Sequence, residues 1–325
     1  MKKHLILLST LLSVILLFSD IKTPLAVEAV ASIKRLNGSV DVQRANATIP
    51  GRKGLILHDR DIIVTNSGSK VTLIFRDGSI IRLFQNTRFL IEKSEESKTG
   101  TRRFFNNFRL KLGSFWGKFT KNRQKTVIKT PTATCGIKGT TVAFSIKDQK
   151  NPSLTVSLST GKVSIKNGTE EVDLNAGKIA RRIGKTGSIR DKITNLPYTL
   201  TITPDNRKIT LPKPGNETEV YFTLQLIDIQ TKRNINRSGN VYISHELDEI
   251  RFDPNIYLNS RGFARVKAII RPLRKANSRT GRIEITAIMD GEQYLNVGSG
   301  QTILTYDIPK GKKRYKIDAN SGIIQ

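Results

Sequence analysis

Cysteine is almost absent: Cys135 is the only one in 325 residues. An internal disulfide is therefore excluded, and stability has to come from packed cores. Histidine is scarce as well, at His4, His58 and His245. One thiol and three scattered imidazoles give no ligand spacing of the zinc or iron type, and they set up no nucleophile–histidine dyad. Cys135 reads as a small buried hydrophobe. The carboxylate groupings Asp59/Asp61 and Asp248/Glu249/Asp253 sit in turn-like stretches and do not form a calcium loop. Glu95-Glu96 and Glu170-Glu171 are adjacent pairs, which strand geometry sends to opposite faces. No Gly-Xaa-Ser-Xaa-Gly elbow, P-loop or dinucleotide fingerprint occurs. The expectation is a non-enzymatic protein with no cofactor and no metal.

Long apolar runs are missing too, except for one. Leu5 to Phe18 is apolar apart from Ser9, Thr10 and Ser13, with Lys2 and Lys3 ahead of it and small residues at Ala26, Ala29 and Ala31 behind. At about 14 residues the core is short of the roughly 20 that a spanning helix needs. Residues 1–31 are read as a cleaved Sec-type leader, with a retained anchor as the competing reading. No cysteine is placed to carry a lipid.

Acid is the third shortage. Lys and Arg number 55 against 27 Asp and Glu, a net charge of +28, and most of the excess lies in residues 32–192. A field of that sign attracts anions. Behind an export leader the expected partner is an anionic envelope polymer or glycan, or an envelope protein, while nucleic acid is not expected. A solubilising surface explains the same charge.

What the chain does have is alternation. Val40/Val42, Ile62/Val64, Val71/Leu73/Phe75, Ile81/Leu83 and Phe89/Ile91 recur with period two, the mark of half-buried strands. Asn37-Gly38, Asn66-Ser67-Gly68 and Asp77-Gly78-Ser79 divide them, and Asp77-Gly78 predicts a hairpin. Residues 181–197 are polar and basic and read as a linker. Seven further strand segments follow: 199–202, 220–226, 241–243, 250–252, 264–270, 283–287 and 303–308. Residues 309–325 form a short basic tail, expected to be disordered.

Several pieces occur in a telling order: Gly38-Ser39-Val40, Asp61-Ile62-Ile63-Val64-Thr65, Asp77-Gly78-Ser79, Leu110-Lys111-Leu112-Gly113, Thr130-Pro131 through Gly139-Thr140, Gly161-Lys162-Val163 and Ala176-Gly177. Together they resemble the FecR domain, over residues 33 to about 180. Arg60 stands where that family usually has Gly, Lys138 where Arg is common, and Cys135 at a variable position. The resemblance implies a jelly-roll-like β-sandwich in residues 32–180 and a role in the envelope. Regulatory FecR proteins control a sigma factor through a cytoplasmic segment ahead of a membrane span. Only Met1 to His4 precede the apolar core, so such a role is expected to need a partner. Residues 198–308, with Leu226-Ile227-Asp228, Gly239-Asn240-Val241, Leu258 to Ala264 and Ile283 to Ala287, resemble bacterial Ig-like repeats of the invasin type. That implies an immunoglobulin-like β-sandwich used for spacing or adhesion. The fold class is all-β, two sandwiches in tandem.

The candidate binding residues lie between Lys98 and Lys125, which hold nine cations and no acid, interleaved with six aromatics. Arg109, Lys111, Trp116, Lys118, Lys121, Arg123 and Lys125 are the residues expected to contact a polymer through charge and stacking. Phe108, Leu110 and Leu112 share one face. After Gly113-Ser114 the apolar parity moves to Phe115 and Phe119, which turns Trp116 and Lys118 outward together. The competing reading has Trp116 capping the core edge and the lysines solvating a sheet face.

Overall fold

The structure is a computed structural model, and it describes residues 28–97, 104–120, 124–211, 216–245, 250–271 and 280–307. Residues 1–27 of the leader, the basic tail, Lys121 and Arg123 lie outside the described residues, while Val30 and Ala31, placed at the end of the leader, are buried in the first core. The protein is all-β.

The first half runs β1 (Ala31–Asn37), β2 (Val40–Arg44), β3 (Ala47–Pro50), β4 (Ile56–Leu57) and β5 (Ile62–Thr65). Next come β6 (Lys70–Phe75), β7 (Ile80–Leu83), β8 (Thr87–Glu96), β9 (Phe104–Lys118) and β10 (Gln124–Lys129). It closes with β11 (Thr134–Ile146), β12 (Leu154–Lys166), β13 (Glu171–Asn175), β14 (Lys178–Ile183) and β15 (Ile193–Asn195). All fifteen belong to one continuous sheet that curls over a single core. Phe89, Phe108, Phe115 and Phe144 pack together at its centre, with Phe115 and Phe144 stacked 4.9 Å apart. Each such ring, removed from water, contributes about 2–3 kcal/mol. Asp77-Gly78 makes the expected hairpin: Gly78 N–H donates to Phe75 O at 3.0 Å, and Ser79 N–H to Asp77 Oδ1 at 2.7 Å.

Two long strands change partners halfway. The first part of β9 pairs with β8 and β10, and its last part with β7 and β11. β11 leaves β10 after Ile137 and joins β9 from Thr141. Each switch sits at a glycine in the left-handed region, Gly113 at φ 87° and Gly139 at φ 59°. Only glycine takes that conformation without strain. Gly136 lies within β11 with no positive φ. β10 stops at Lys129 ahead of Pro131, and the Thr130 hydroxyl donates to Ala133 O at 2.8 Å and accepts from Ala133 N–H at 3.0 Å.

Residues 181–197 are not a free linker. β14 and β15 complete the first sheet, and Ile183, Ile189 and Leu196 are buried. Their polar neighbours face water, and that composition is what made the stretch look unstructured.

The second half runs β16 (Tyr198–Pro204), β17 (Lys208–Thr210), β18 (Thr218–Asp228), β19 (Gly239–His245) and β20 (Ile250–Phe252). β21 (Ile256–Leu258), β22 (Phe263–Ile270), β23 (Thr280–Met289), β24 (Val297–Gly298) and β25 (Gly300–Asp307) complete it. Two five-stranded sheets, ordered β20-β22-β18-β16-β24 and β17-β25-β23-β19-β21, enclose a second core around Phe222, Leu224, Ile285 and Leu304.

Candidate functional site

The residues expected to form one basic, aromatic site fall into two places, because β9 bends between them. Before Gly113, Phe108 and Leu110 point into the first core, and Arg109 and Lys111 point to solvent. After it, Phe115 points in, and Ser114, Trp116 and Lys118 point out. The outward face of the later half is not free, however. The second sandwich covers it.

Trp116 is 3% exposed, which corrects the expectation of an outward contact point. It packs with Ile80, Phe84 and Ala143 of the first half against Ile288, Tyr294 and Leu295 of the second. Phe84 stacks on Tyr294 at 4.2 Å with 27° between the planes. The apolar parity was legible. The partner was not, because the covering residues lie some 180 positions further along the chain. Lys118 is likewise engaged, its Nζ 3.0 Å from Glu284 Oε2.

Polar groups fasten the same junction. The Arg82 guanidinium lies 3.8 Å over the Tyr242 ring, where the π face attracts it. Arg82 and Lys70 share Asp290, at 3.3 and 2.8 Å. Gln301 Nε2 donates to Thr141 Oγ1 at 2.7 Å, Ser299 N–H to Ser159 Oγ at 2.9 Å, and Arg181 to Asn296 Oδ1 at 2.9 Å. Burial pushes the Tyr294 hydroxyl up to about 12, against weaker opposing hydrogen bonds with Ser114 and Ser145. Beside Tyr294 opens a cleft of about 310 Å³ that includes Asn86, Ser114, Ser145 and Lys147. Sequence reasoning missed Arg82, Tyr242, Asp290 and Tyr294. One signal was available: Ile80-Ile81-Arg82-Leu83-Phe84 is an apolar run without clean alternation, the pattern of a strand covered on both faces.

The other candidates lie on the outer face of the early half of β9 and its neighbours. Arg109 and Lys129 both bind Glu92, at 2.6 and 2.8 Å. Burial pushes the Glu92 carboxyl up, but the hydrogen bonds from Lys129 and Arg109 outweigh it and hold the group below its ordinary range. Lys111 and Lys125 are exposed and form no ion pair among the described residues. Cys135 is fully buried under this face, and burial drives its thiol pKa far up, so it is not poised as a nucleophile.

Residues 61–164 match the family described as FecR protein. No curated protein matches the chain. Among solved structures, a candidate anti-sigma factor from Parabacteroides distasonis is 18% identical, over 41% of this chain and 59% of that one, with a TM-score of 0.33. A second structure under the same description gives a TM-score of 0.34. The PapD-like domain 7 of human CEP192 is 16% identical over 37% of this chain and 92% of its own length, with a TM-score of 0.26. The chain thus spans 59% of the first of these structures.

Proposed function

We propose, from the FecR domain at residues 61–164, that this chain is an exported regulatory protein of the cell envelope that acts through a protein partner. The family match over those residues is the observation that carries this reading. In it, the leader delivers the chain to the periplasm or cell surface, and the second sandwich is an Ig-like module that presents the FecR domain at a set distance and orientation. The junction supports that part. Aromatic packing, a shared carboxylate and several hydrogen bonds join the two halves, so a force or contact on one sandwich is felt by the other.

The test is genetic. Deleting the gene in its host and profiling transcripts should change a confined set of genes, restored by the wild-type chain. Complementation by Trp116→Ala, which loosens the junction, should be weaker at equal protein level. A transcript profile that deletion leaves unchanged, under growth and under envelope stress, removes the regulatory reading.

A further inference from the structure

We infer that the outer face of β9 to β12 is a binding site for a linear, carboxylate-bearing glycan, seated across the strands over Gly136. This goes beyond the regulatory reading and stands or falls apart from it.

The strand register builds the site. Lys138 on β11 sits directly opposite Lys162 on β12. Thr126 on β10 faces Ile137 as the last pair of that ladder, and Lys125 and Lys138 are the next residues beyond it on the two strands. Phe105 on β9, 37% exposed, is in register with Lys125. Two in-register pairs, Phe105 with Lys125 and Lys138 with Lys162, thus follow one another across the strands over about 14 Å at the usual strand spacing. Four residues along the strands, Arg109, Lys129 and Lys166 form a second cationic row. Between the rows the side chains are short: Val127, Gly136 and Ser164 make the floor.

Two observations separate this face from an ordinary solvated one. The first is the distribution of acid. Most cations of this face have a carboxylate, Lys93 with Glu95, Lys166 with Glu171, Lys162 with Asp173, and Arg109 and Lys129 with Glu92. In the centre, Lys125 and Lys138 form no ion pair among the described residues, and Lys138 stands directly opposite Lys162, a like charge that repels it. A surface built only for solubility intersperses the two signs. An anion lying in the row relieves that repulsion. The second is Gly136. Its backbone needs no glycine, and an added Cβ would meet only Ser164 Cβ, at 3.9 Å. The missing side chain leaves a floor open beside the unpaired Lys125 and Lys138.

The chemistry of the lining favours a glycan carboxylate. Compact ammonium groups pair with carboxylates as point charges, Thr134 offers a hydroxyl partner, and Phe105 offers an aromatic face for a sugar ring. A few placed polar groups beside an aromatic are what orients a ligand.

The experiment measures affinity of the purified chain for alginate, a linear polyuronate, at low salt and at about 0.5 M salt, where screening reaches a few ångströms. Polyphosphate, duplex DNA and phosphatidylglycerol vesicles are run alongside. The expected result is salt-sensitive binding tightest for alginate. The double change Lys125→Glu/Lys138→Glu should weaken it about tenfold, a loss of about 1.4 kcal/mol. Gly136→Val, which fills the floor without changing charge, should also weaken it. The control Arg251→Glu/Arg261→Glu makes the same charge change on the second sandwich and should leave binding intact. Failure of alginate to bind overturns the inference, as does tighter binding of polyphosphate, DNA or vesicles. An equal loss in the control reduces the effect to net charge and overturns it too. Should Gly136→Val shift the thermal transition, the lysine pair and its control still decide.

Discussion

Arg60 is a non-glycine residue at φ 68°, in the left-handed region where a side chain crowds its own carbonyl. The turn around it holds nonetheless. Arg60 N–H donates to Ile91 O at 2.7 Å, and Asp61 accepts a bidentate bond from Arg44 at 2.7 and 2.8 Å. The departure from the FecR pattern thus left the geometry in place and put strain into one residue. Arg60→Gly should stabilise the protein by about 1 kcal/mol, read as a rise in the denaturation midpoint with an unchanged slope. Gly113 is the reverse case. A Cβ there would lie 2.4 Å from the Thr87 Cα, a backbone atom that cannot swing aside. Gly113→Ala should cost about 3 kcal/mol or prevent folding. A folded variant of wild-type stability would mean that β9 does not need this bend.

At the scale of elements, the strands were legible because period-two alternation survives wherever one face meets a core and the other meets water. All seven strand segments read in residues 198–308 appear in the structure, along with the three short pairings β17, β21 and β24. Their two or three residues are too few to show a period. The stretch after β14 was misread for a related reason. Ile183 and Ile189 are buried singly among basic residues, and what holds the segment is one carboxylate rather than a pattern. Glu170 accepts hydrogen bonds from the backbone N–H groups of Ile189 and Arg190, which hold its carboxyl below the ordinary value of 4.5. A depressed carboxylate contributes stability above its unfolded pKa and loses it as pH falls through the folded one. Acidification below about pH 4.5 should therefore release this segment early. Amide exchange at Ile189 and Arg190 should rise there ahead of the rest of the sheet, and Glu170→Gln should show the raised exchange already at neutral pH. Exchange at these two amides that is indifferent to both changes would mean that the buried isoleucines alone hold the segment.

Over the whole molecule the question is whether two sandwiches behave as one body. The cationic candidates illustrate why sequence alone could not tell. Arg109, Lys111 and Trp116 follow one another on a single strand, yet a bend at Gly113 sends the first two to solvent and the third into contact with a domain that sequence places far away. Trp116 is the largest side chain at that contact. Trp116→Ala removes its packing against Tyr294 and Leu295 and should cost about 3–5 kcal/mol, as truncation of a buried aromatic does. Trp116→Phe should cost much less, because the indole Nε1 has no hydrogen-bond partner among the described residues and its loss leaves no polar group stranded. The wild-type chain should unfold in a single calorimetric transition, and Trp116→Ala in two, the second half melting independently. Alkali tests the same contact without mutation. With the Tyr294 hydroxyl raised from 10.0 to about 12, its contribution is whole below about pH 10 and is lost as pH rises through 12. The single transition should therefore split on going from pH 10 to 12 in the wild type, and Tyr294→Phe should abolish that pH dependence. A Trp116→Ala protein that still melts once, at the wild-type temperature, would show that Trp116 is not what couples the two sandwiches.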